Sequence, residues 1–178
     1  YEGDIESATL FLEKNKEFFD YFDKCLTFNT FQDPVYSNIE DSWAGSMAVS
    51  RPEITQSAKL ILINSRHLFE QGEEEQAFNE VFKVIRIGHI IENSQGDIIQ
   101  YLTGLAIKEY GLRQLREMLP DTKLSSALLI SYAESLDEFK DSREGLTKGI
   151  KSECMRIINT KLKFLDGIGT EEELEYLS

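Results

Sequence analysis

Four residues in the second half of the chain have side chains that could bind a ligand. They lie at positions i, i+1, i+4 and i+8 of one predicted helix, and they are Gln100, Tyr101, Gly104 and Lys108. Amide, phenol and ammonium groups can all hydrogen-bond a partner, and a glycine lets that partner approach the helix closely. We therefore predict that they line a groove for a peptide or a partner helix. In the alternative interpretation, Tyr101 and Tyr110 are amphipathic residues at the rim of a packed surface.

The two histidines are the next candidates, because imidazole is a common metal ligand. Metal sites in helical bundles use Glu-x-x-His segments on facing helices. Asn64 stands three residues before His67, however, and Arg86 stands three residues before His89. The chain also has no H-E-x-x-H segment. We expect structural or surface histidines, with no metal ion and no other cofactor.

Sequence motifs of common enzyme classes are absent. The chain has no G-x-S-x-G or Walker A segment, and Gly167-Ile168-Gly169 follows no predicted strand. The acidic runs at Glu73–Glu75 and Glu171–Glu175 are better explained as helix N-termini than as cation sites, and EF-hand spacing is missing. The sequence favours a non-enzymatic protein, and an enzyme with a site inside a helical bundle is the weaker alternative.

The charge of the chain narrows the choice of partner. Its 178 residues include 19 Lys and Arg against 32 Asp and Glu, a formal net charge of −13. Nucleic acids and anionic membranes bind through Lys and Arg, so neither is an expected partner. A protein or a peptide remains as the expected partner.

The strongest structural pattern is a helical hairpin over Ser50 to Asn93. Ser50 and Glu53 form a capping box, and an apolar helical pattern then runs to Gly72. Glycine closes a helix cheaply in the left-handed conformation. The next helix starts with Glu73–Glu75, whose carboxylates favour the positive end of the helix dipole.

The other elements are also predicted to be helical, since no stretch shows sustained strand alternation. Six main helices are predicted, at about Ile5 to Phe28, Pro52 to Gln71, Glu74 to Glu92, Asp97 to Leu119, Leu124 to Phe139 and, capped by Asp141 or Ser142, a sixth that ends at about Leu165. The fold class is therefore all-α, with antiparallel helical hairpins stacked as a bundle or a short α-solenoid. The predicted single domain, 1–178, comprises a first helix in 1–30, a connector in 31–50, hairpins in 51–165 and a short terminal helix in 166–178.

Two glycines inside the fourth predicted helix suggest how these helices pack. Gly104 and Gly111 are seven residues apart, on nearly the same side, and each costs about 1 kcal/mol of helix stability relative to Ala. Close contact with another helix would offset that cost. We expect the hairpin at Ser50 to Asn93 to be the centre of the fold, with the fourth helix packed on it through these glycines.

The two cysteines, Cys25 and Cys154, lie near opposite ends of the chain and on or beside apolar faces. Packed free thiols are the favoured interpretation. A disulfide between the first and last long helices is the alternative, and it would require an oxidising compartment.

Part of the hairpin resembles known helical families. The spacing of Gly72, Ala77, Val81 and Val84 resembles the second helix of a tetratricopeptide repeat. A region from Arg51 to Leu119 resembles an uncharacterised family of bacterial helical proteins, often exported or membrane-anchored. Its segments read here Ala58–Leu68, Gly72–Ala77 and Ile98–Ile107.

The resemblance to that bacterial family implies a fold and a compartment, but no activity. No apolar run reaches the roughly 20 residues of a membrane span, and no signal peptide is visible. Because the chain starts with Tyr1 and not Met, we expect a preceding segment. The resemblance and this preceding segment favour an exported or anchored protein, with a cytoplasmic one as the alternative. The predicted function is a helical interaction domain, and a structural or assembly element of the bacterial cell envelope is the alternative.

Overall fold

A computed structural model describes residues 5–31, 50–94, 97–140 and 143–165. Over these ranges the chain forms α-helices and one short 3₁₀ turn and contains no strand, which confirms the all-α fold class. The helices are α1 (Ile5–Lys14), α2 (Lys16–Cys25), α3 (Ser50–Glu70), α4 (Glu74–Asn93), α5 (Ile98–Met118), α6 (Ser126–Asp137) and α7 (Arg143–Leu165), with the 3₁₀ turn at Leu119–Asp121.

The predicted turn between α3 and α4 is confirmed at Gly72. This glycine has a φ of 85°, in the left-handed region. Its N–H donates to the Phe69 carbonyl at 3.0 Å, and the N–H of Glu73 donates to the Leu68 carbonyl at 2.9 Å. These two bonds form a Schellman motif, which satisfies the last carbonyls of α3 and reverses the chain into α4.

Glycines on both α4 and α5 bring these two helices unusually close together. A Cβ atom added to Gly104 would overlap the backbone of Glu92 and lie 2.7 Å from the Gly88 carbonyl oxygen. One added to Gly111 would lie 2.6 Å from Cγ1 of Ile85. The contacts run in opposite directions along the two helices, so the pair is antiparallel. The predicted packing through Gly104 and Gly111 is confirmed.

Helix α4 is the central element of the described fold. On one side, its buried residues join α2, α3 and α5 in a core that includes Phe22, Leu26, Ala58, Ile61, Val84, Ile87, Ile91 and Ile107. On another side, a second core joins α4 to the end of α5, and α6 covers it. There the Tyr132 ring packs 5.4 Å from the Phe78 ring and 5.0 Å from the Phe82 ring. The predicted central place of the hairpin agrees with this packing.

The N-terminal part differs from the prediction of one helix from Ile5 to Phe28. It forms two helices separated at Asn15. The Asn15 side-chain amide donates to the Phe11 carbonyl at 2.7 Å, so an asparagine competes locally for a helix hydrogen-bond acceptor. Past α2, the Phe31 N–H donates to the Ser94 hydroxyl at 2.7 Å and ties this segment to the end of α4.

Smaller differences concern helix ends and the two cysteines. Helix α6 begins at Ser126 and not Leu124, because the Ser125 hydroxyl caps it by accepting from the Leu128 N–H. Cys25 and Cys154 are both free and exposed, so their predicted packing is wrong. Most of the predicted connector at 31–50 and the terminal helix at 166–178 lie outside the described residues.

We expect the crossing of α4 and α5 to tolerate no side chain at Gly104. Gly104→Ala should destabilise the protein by at least about 2 kcal/mol, because the new methyl group meets backbone that cannot move aside. Gly149→Ala is the matched control. Its Cβ would lie 3.3 Å from the nearest atom, so we expect a change within about 1 kcal/mol. Urea unfolding measures both, and equal effects would contradict the close crossing.

Candidate functional site

The four residues predicted to line a groove are gathered in one place, but they do not line an open groove. Gln100 is 2% exposed and Lys108 4% exposed, and Gly104 is buried, whereas Tyr101 is partly buried. They lie against α4, since Gly104 admits the α4 backbone and not a ligand. The prediction of an accessible groove is therefore wrong. The four residues do lie together, but they lie on a face of α5 that is packed against other helices.

At the centre of this packed face is a buried ion pair. The Lys108 Nζ lies 2.6 Å from Oε2 of Glu92, and the two side chains are 5% and 0% exposed. The Lys108 ammonium also donates to the Phe139 carbonyl, at 3.3 Å. A buried charge is costly unless it is paired and hydrogen-bonded, so each partner depends on the other.

Sequence reasoning missed Glu92 entirely. It is the next-to-last residue of α4 and resembles an ordinary surface glutamate at a helix end. The one signal was its position directly after Ile90 and Ile91 in a helix that is apolar over most of its circumference. The glycine crossing explains its burial, because Gly104 brings α5 onto the Glu92 backbone.

Polar groups at the start of α5 also contact the end of α4. We call this contact between the end of α4 and the start of α5 the junction. Asp97 caps the helix by accepting from the Gln100 N–H at 2.7 Å. The Gln100 side chain donates to the Ile91 carbonyl at 3.4 Å, and its Oε1 has no hydrogen-bond partner in the described part of the chain. These contacts hold the start of α5 against the end of α4. These hydrogen bonds stabilise the packing of the two helices. They do not place a nucleophile beside a general base.

A cavity of about 270 Å³ adjoins the ion pair between α4, α5 and α6. Its walls are mainly apolar, with two lysines, and comprise Ile85, Lys108, Leu112, Leu136, Phe139 and Lys140. Nearby, the His89 ring lies 5.5 Å from the Phe139 ring. Burial lowers the pKa of His89, the neighbouring Lys108 charge lowers it further, and Glu92 opposes both. This histidine therefore favours its neutral form.

The other histidine and the acidic run also have structural contacts. His67 Nε2 lies 3.2 Å from the Thr9 hydroxyl, which ties α3 to α1. Glu74 accepts hydrogen bonds from the Thr122 hydroxyl at 2.6 Å and the Lys123 N–H at 2.7 Å. The Thr122 bond, with the Lys123 N–H second, lowers the pKa of the Glu74 carboxyl. Among the described residues, no group of three or more His, Cys, Asp or Glu could hold a metal ion.

Among the described helices, α7 carries the most exposed large apolar side chains. Five of its side chains are exposed by 37% to 55%, and we call them the α7 row: Leu146, Ile150, Met155, Ile158 and Leu162. They are five of the fourteen large exposed apolar side chains of the described chain, and no other helix contributes more than two. Leu146 and Ile150, at i and i+4, share one side of the helix, and Met155, Ile158 and Leu162, at i, i+3 and i+7, share another side further along it.

Two glycines attach the start of α7 to the junction. A Cβ atom added to Gly145 would overlap the carbonyl oxygen of Glu92, and one added to Gly149 would lie 3.3 Å from the Cα of Ile98. Since Gly145 also approaches the Tyr101 ring, α7 runs antiparallel to α5 and reaches the first residue of α5 at Gly149. The rest of α7, about 24 Å at 1.5 Å per residue, continues beyond that point.

Comparisons with protein-family models, with curated proteins and with solved structures found no match to this chain. The resemblance of Arg51 to Leu119 to a bacterial helical family therefore stays a prediction, as does the tetratricopeptide-like spacing. No helix of the described ranges is both long and apolar enough to cross a membrane.

We expect the Lys108–Glu92 pair to behave as one unit. Lys108→Met and Glu92→Gln should each cost about 3 to 5 kcal/mol, because each leaves an uncompensated buried charge. The double variant should lose at least about 2 kcal/mol less than the sum of the single losses. Urea unfolding of all four proteins measures this coupling.

The exposed Arg66–Glu70 pair, 2.8 Å apart with side chains 50% and 44% exposed, is the matched control. Its cycle, Arg66→Met with Glu70→Gln, should give a coupling below about 1 kcal/mol. Additive losses at Lys108 and Glu92 would show that the two buried charges do not depend on each other.

Proposed function

We propose that this protein is a non-enzymatic helical interaction domain that binds a helical segment of a protein partner along the α7 row. The observation that carries the proposal is the exposure of this row. An apolar side chain gains about 25 cal/mol for each Å² removed from water, so a row of half-exposed Leu, Ile and Met favours a partner that covers it.

The spacing of the row supports a helical partner. Helices that dock on an apolar surface use anchors at i, i+3, i+4 and i+7. Within the row, Met155, Ile158 and Leu162 have the spacing i, i+3 and i+7, and Leu146 and Ile150 have the spacing i, i+4. Met155 adds a flexible side chain that can adapt to different neighbours.

The proposed binding surface differs from the residues that the sequence predicts to line a groove. Gln100 and Gly104 are enclosed where α5 packs on α4, and the Lys108 ammonium is buried against Glu92. The α7 row, by contrast, is exposed. Cys154, which is also exposed, lies between Ile150 and Ile158 at the same i, i+4 spacing.

We predict that changing the row weakens partner binding without unfolding the protein. A photo-crosslinking amino acid at Met155, introduced in cells that produce the protein, should give a discrete adduct whose partner can be identified. Ile150→Gln combined with Ile158→Gln should then lower the affinity for the purified partner at least about tenfold, since that requires a loss of only about 1.4 kcal/mol.

Ile63 provides the matched control, because it is an isoleucine with 43% exposure on α3. The crosslinker at Ile63 should give no such adduct, and Ile63→Gln should leave the affinity unchanged. Equal adducts at both positions, or full affinity in the Ile150→Gln, Ile158→Gln variant, would reject the row as the binding surface.

Localisation outside the cytoplasm is a separate proposal, and the resemblance over Arg51 to Leu119 supports it. On this proposal the interaction domain is an assembly element of the bacterial cell envelope. Cys25 and Cys154 are exposed free thiols, so a membrane-impermeant maleimide reports the compartment. In intact cells with a permeable outer layer, we expect labelling of the full-length protein. Labelling only after lysis would contradict the proposal.

A further inference from the structure

The charge of α7 differs sharply from that of the rest of the chain. Its 23 residues contain six Lys or Arg and two Glu, a net charge of +4. The whole chain carries −13, so the remainder is strongly acidic. The row with the most exposed apolar residues therefore lies on a basic helix of an acidic protein.

We infer that the segment that docks on the α7 row is an acidic amphipathic helix. This inference rests on the proposed function and adds the chemistry of the partner. An acidic helix would place its apolar stripe on the α7 row and its carboxylates beside the cations of α7. Its own charge would be repelled by most other surfaces of the chain, which would confine it to this helix.

The cations at the row are in position for this role. Arg143 and Lys151 are exposed, and Lys151 precedes Met155 by four residues and Ile158 by seven, so it flanks the distal half of the row. Lys148 is 44% exposed, but it pairs with Glu144 at 2.9 Å and donates to the Asn93 carbonyl at 3.4 Å, so Arg143 and Lys151 are the cations on which the inference depends.

The geometry also sets the length of the partner. The row runs from Leu146 to Leu162, which is about 24 Å along α7 at 1.5 Å per residue. A partner helix of about four to five turns matches this distance. We therefore expect a segment of roughly 16 to 18 residues.

Two other occupants of the row are less consistent with the charges. A second α7 would bring two helices of net charge +4 together. An anionic membrane would attract α7 but repel the rest of the chain, and the row contains no aromatic side chain to anchor in an interface. An acidic amphipathic helix would cover the apolar row and be attracted by the basic charge of α7. It would avoid both the repulsion between two basic helices and the repulsion of the acidic chain from an anionic membrane.

Two fluorescein-labelled peptides of 18 residues test the inference. Both carry Leu at the same helical positions, with Ala and Gln between them, and they differ only in six Glu in one and six Lys in the other. In fluorescence anisotropy at 50 mM salt, the Glu peptide should bind the full chain at least tenfold more tightly than the Lys peptide. Its affinity should fall as salt is raised to 300 mM. The net charge of −13 favours the Lys peptide non-specifically, so the expected preference is a demanding one.

Variants separate the charge from the apolar surface. Lys151→Glu should weaken the Glu peptide severalfold, whereas Lys16→Glu, the same charge change at an exposed site on α2, should not. Ile150→Gln with Ile158→Gln should abolish binding. Circular dichroism of each variant confirms that it is folded.

Each other result has a defined meaning. If both peptides bind equally and both lose binding in the Ile150→Gln, Ile158→Gln variant, the row is a docking surface but the acidic-partner inference is wrong. If neither peptide binds, both the inference and the helix-docking proposal fail. Binding to vesicles of phosphatidylcholine and phosphatidylglycerol, or self-association in analytical ultracentrifugation, lost in the same variant and without peptide binding, would identify a membrane or a second copy as the occupant.

Discussion

The close approach of α4 and α5 at Gly88 and Gly104 is the constraint on which the rest of the described structure depends. With any larger residue at these positions, the two backbones would have to separate. Their contact buries the Glu92 and Lys108 side chains, and a buried charge is costly unless it is paired. It also fixes the end of α4 and the start of α5, where α7 attaches. One steric fact therefore determines the core, the buried charges and the placement of α7.

The buried pair is better understood as a specificity device than as a source of stability. Replacing a buried ion pair with apolar residues is often neutral or stabilising, whereas breaking it is costly. Lys108 and Glu92 meet in only one register of α4 on α5, and a shift by one turn would leave two buried charges apart. We infer that the pair selects this register, while the apolar residues around it provide the free energy of folding.

Local patterns predicted the features that depend on neighbouring residues. Gly72 ends α3 because glycine can adopt the left-handed conformation. Gly104 and Gly111 predicted a close helix contact, because glycine inside a helix lowers its stability unless close packing offsets the cost. The break at Asn15 escaped prediction, since the apolar repeat continues through it. The status of Lys108 and Glu92 could not be predicted, because the burial of a charge depends on which helix covers it. For the same reason, the sequence predicts a groove at Gln100, Gly104 and Lys108, where the structure has a packed face of α5.

The exposure of the α7 row could not be predicted from the sequence either. An apolar repeat indicates that a helix face is covered, but not by what. Leu146, Ile150, Ile158 and Leu162 are apolar residues of a predicted helix, yet the described fold leaves them exposed. Gly145 joins α7 to Glu92, the residue whose carboxylate holds Lys108. The position of the row therefore depends on the contacts between the end of α4 and the start of α5. A substitution that disrupts these contacts would displace the row and also destabilise the fold.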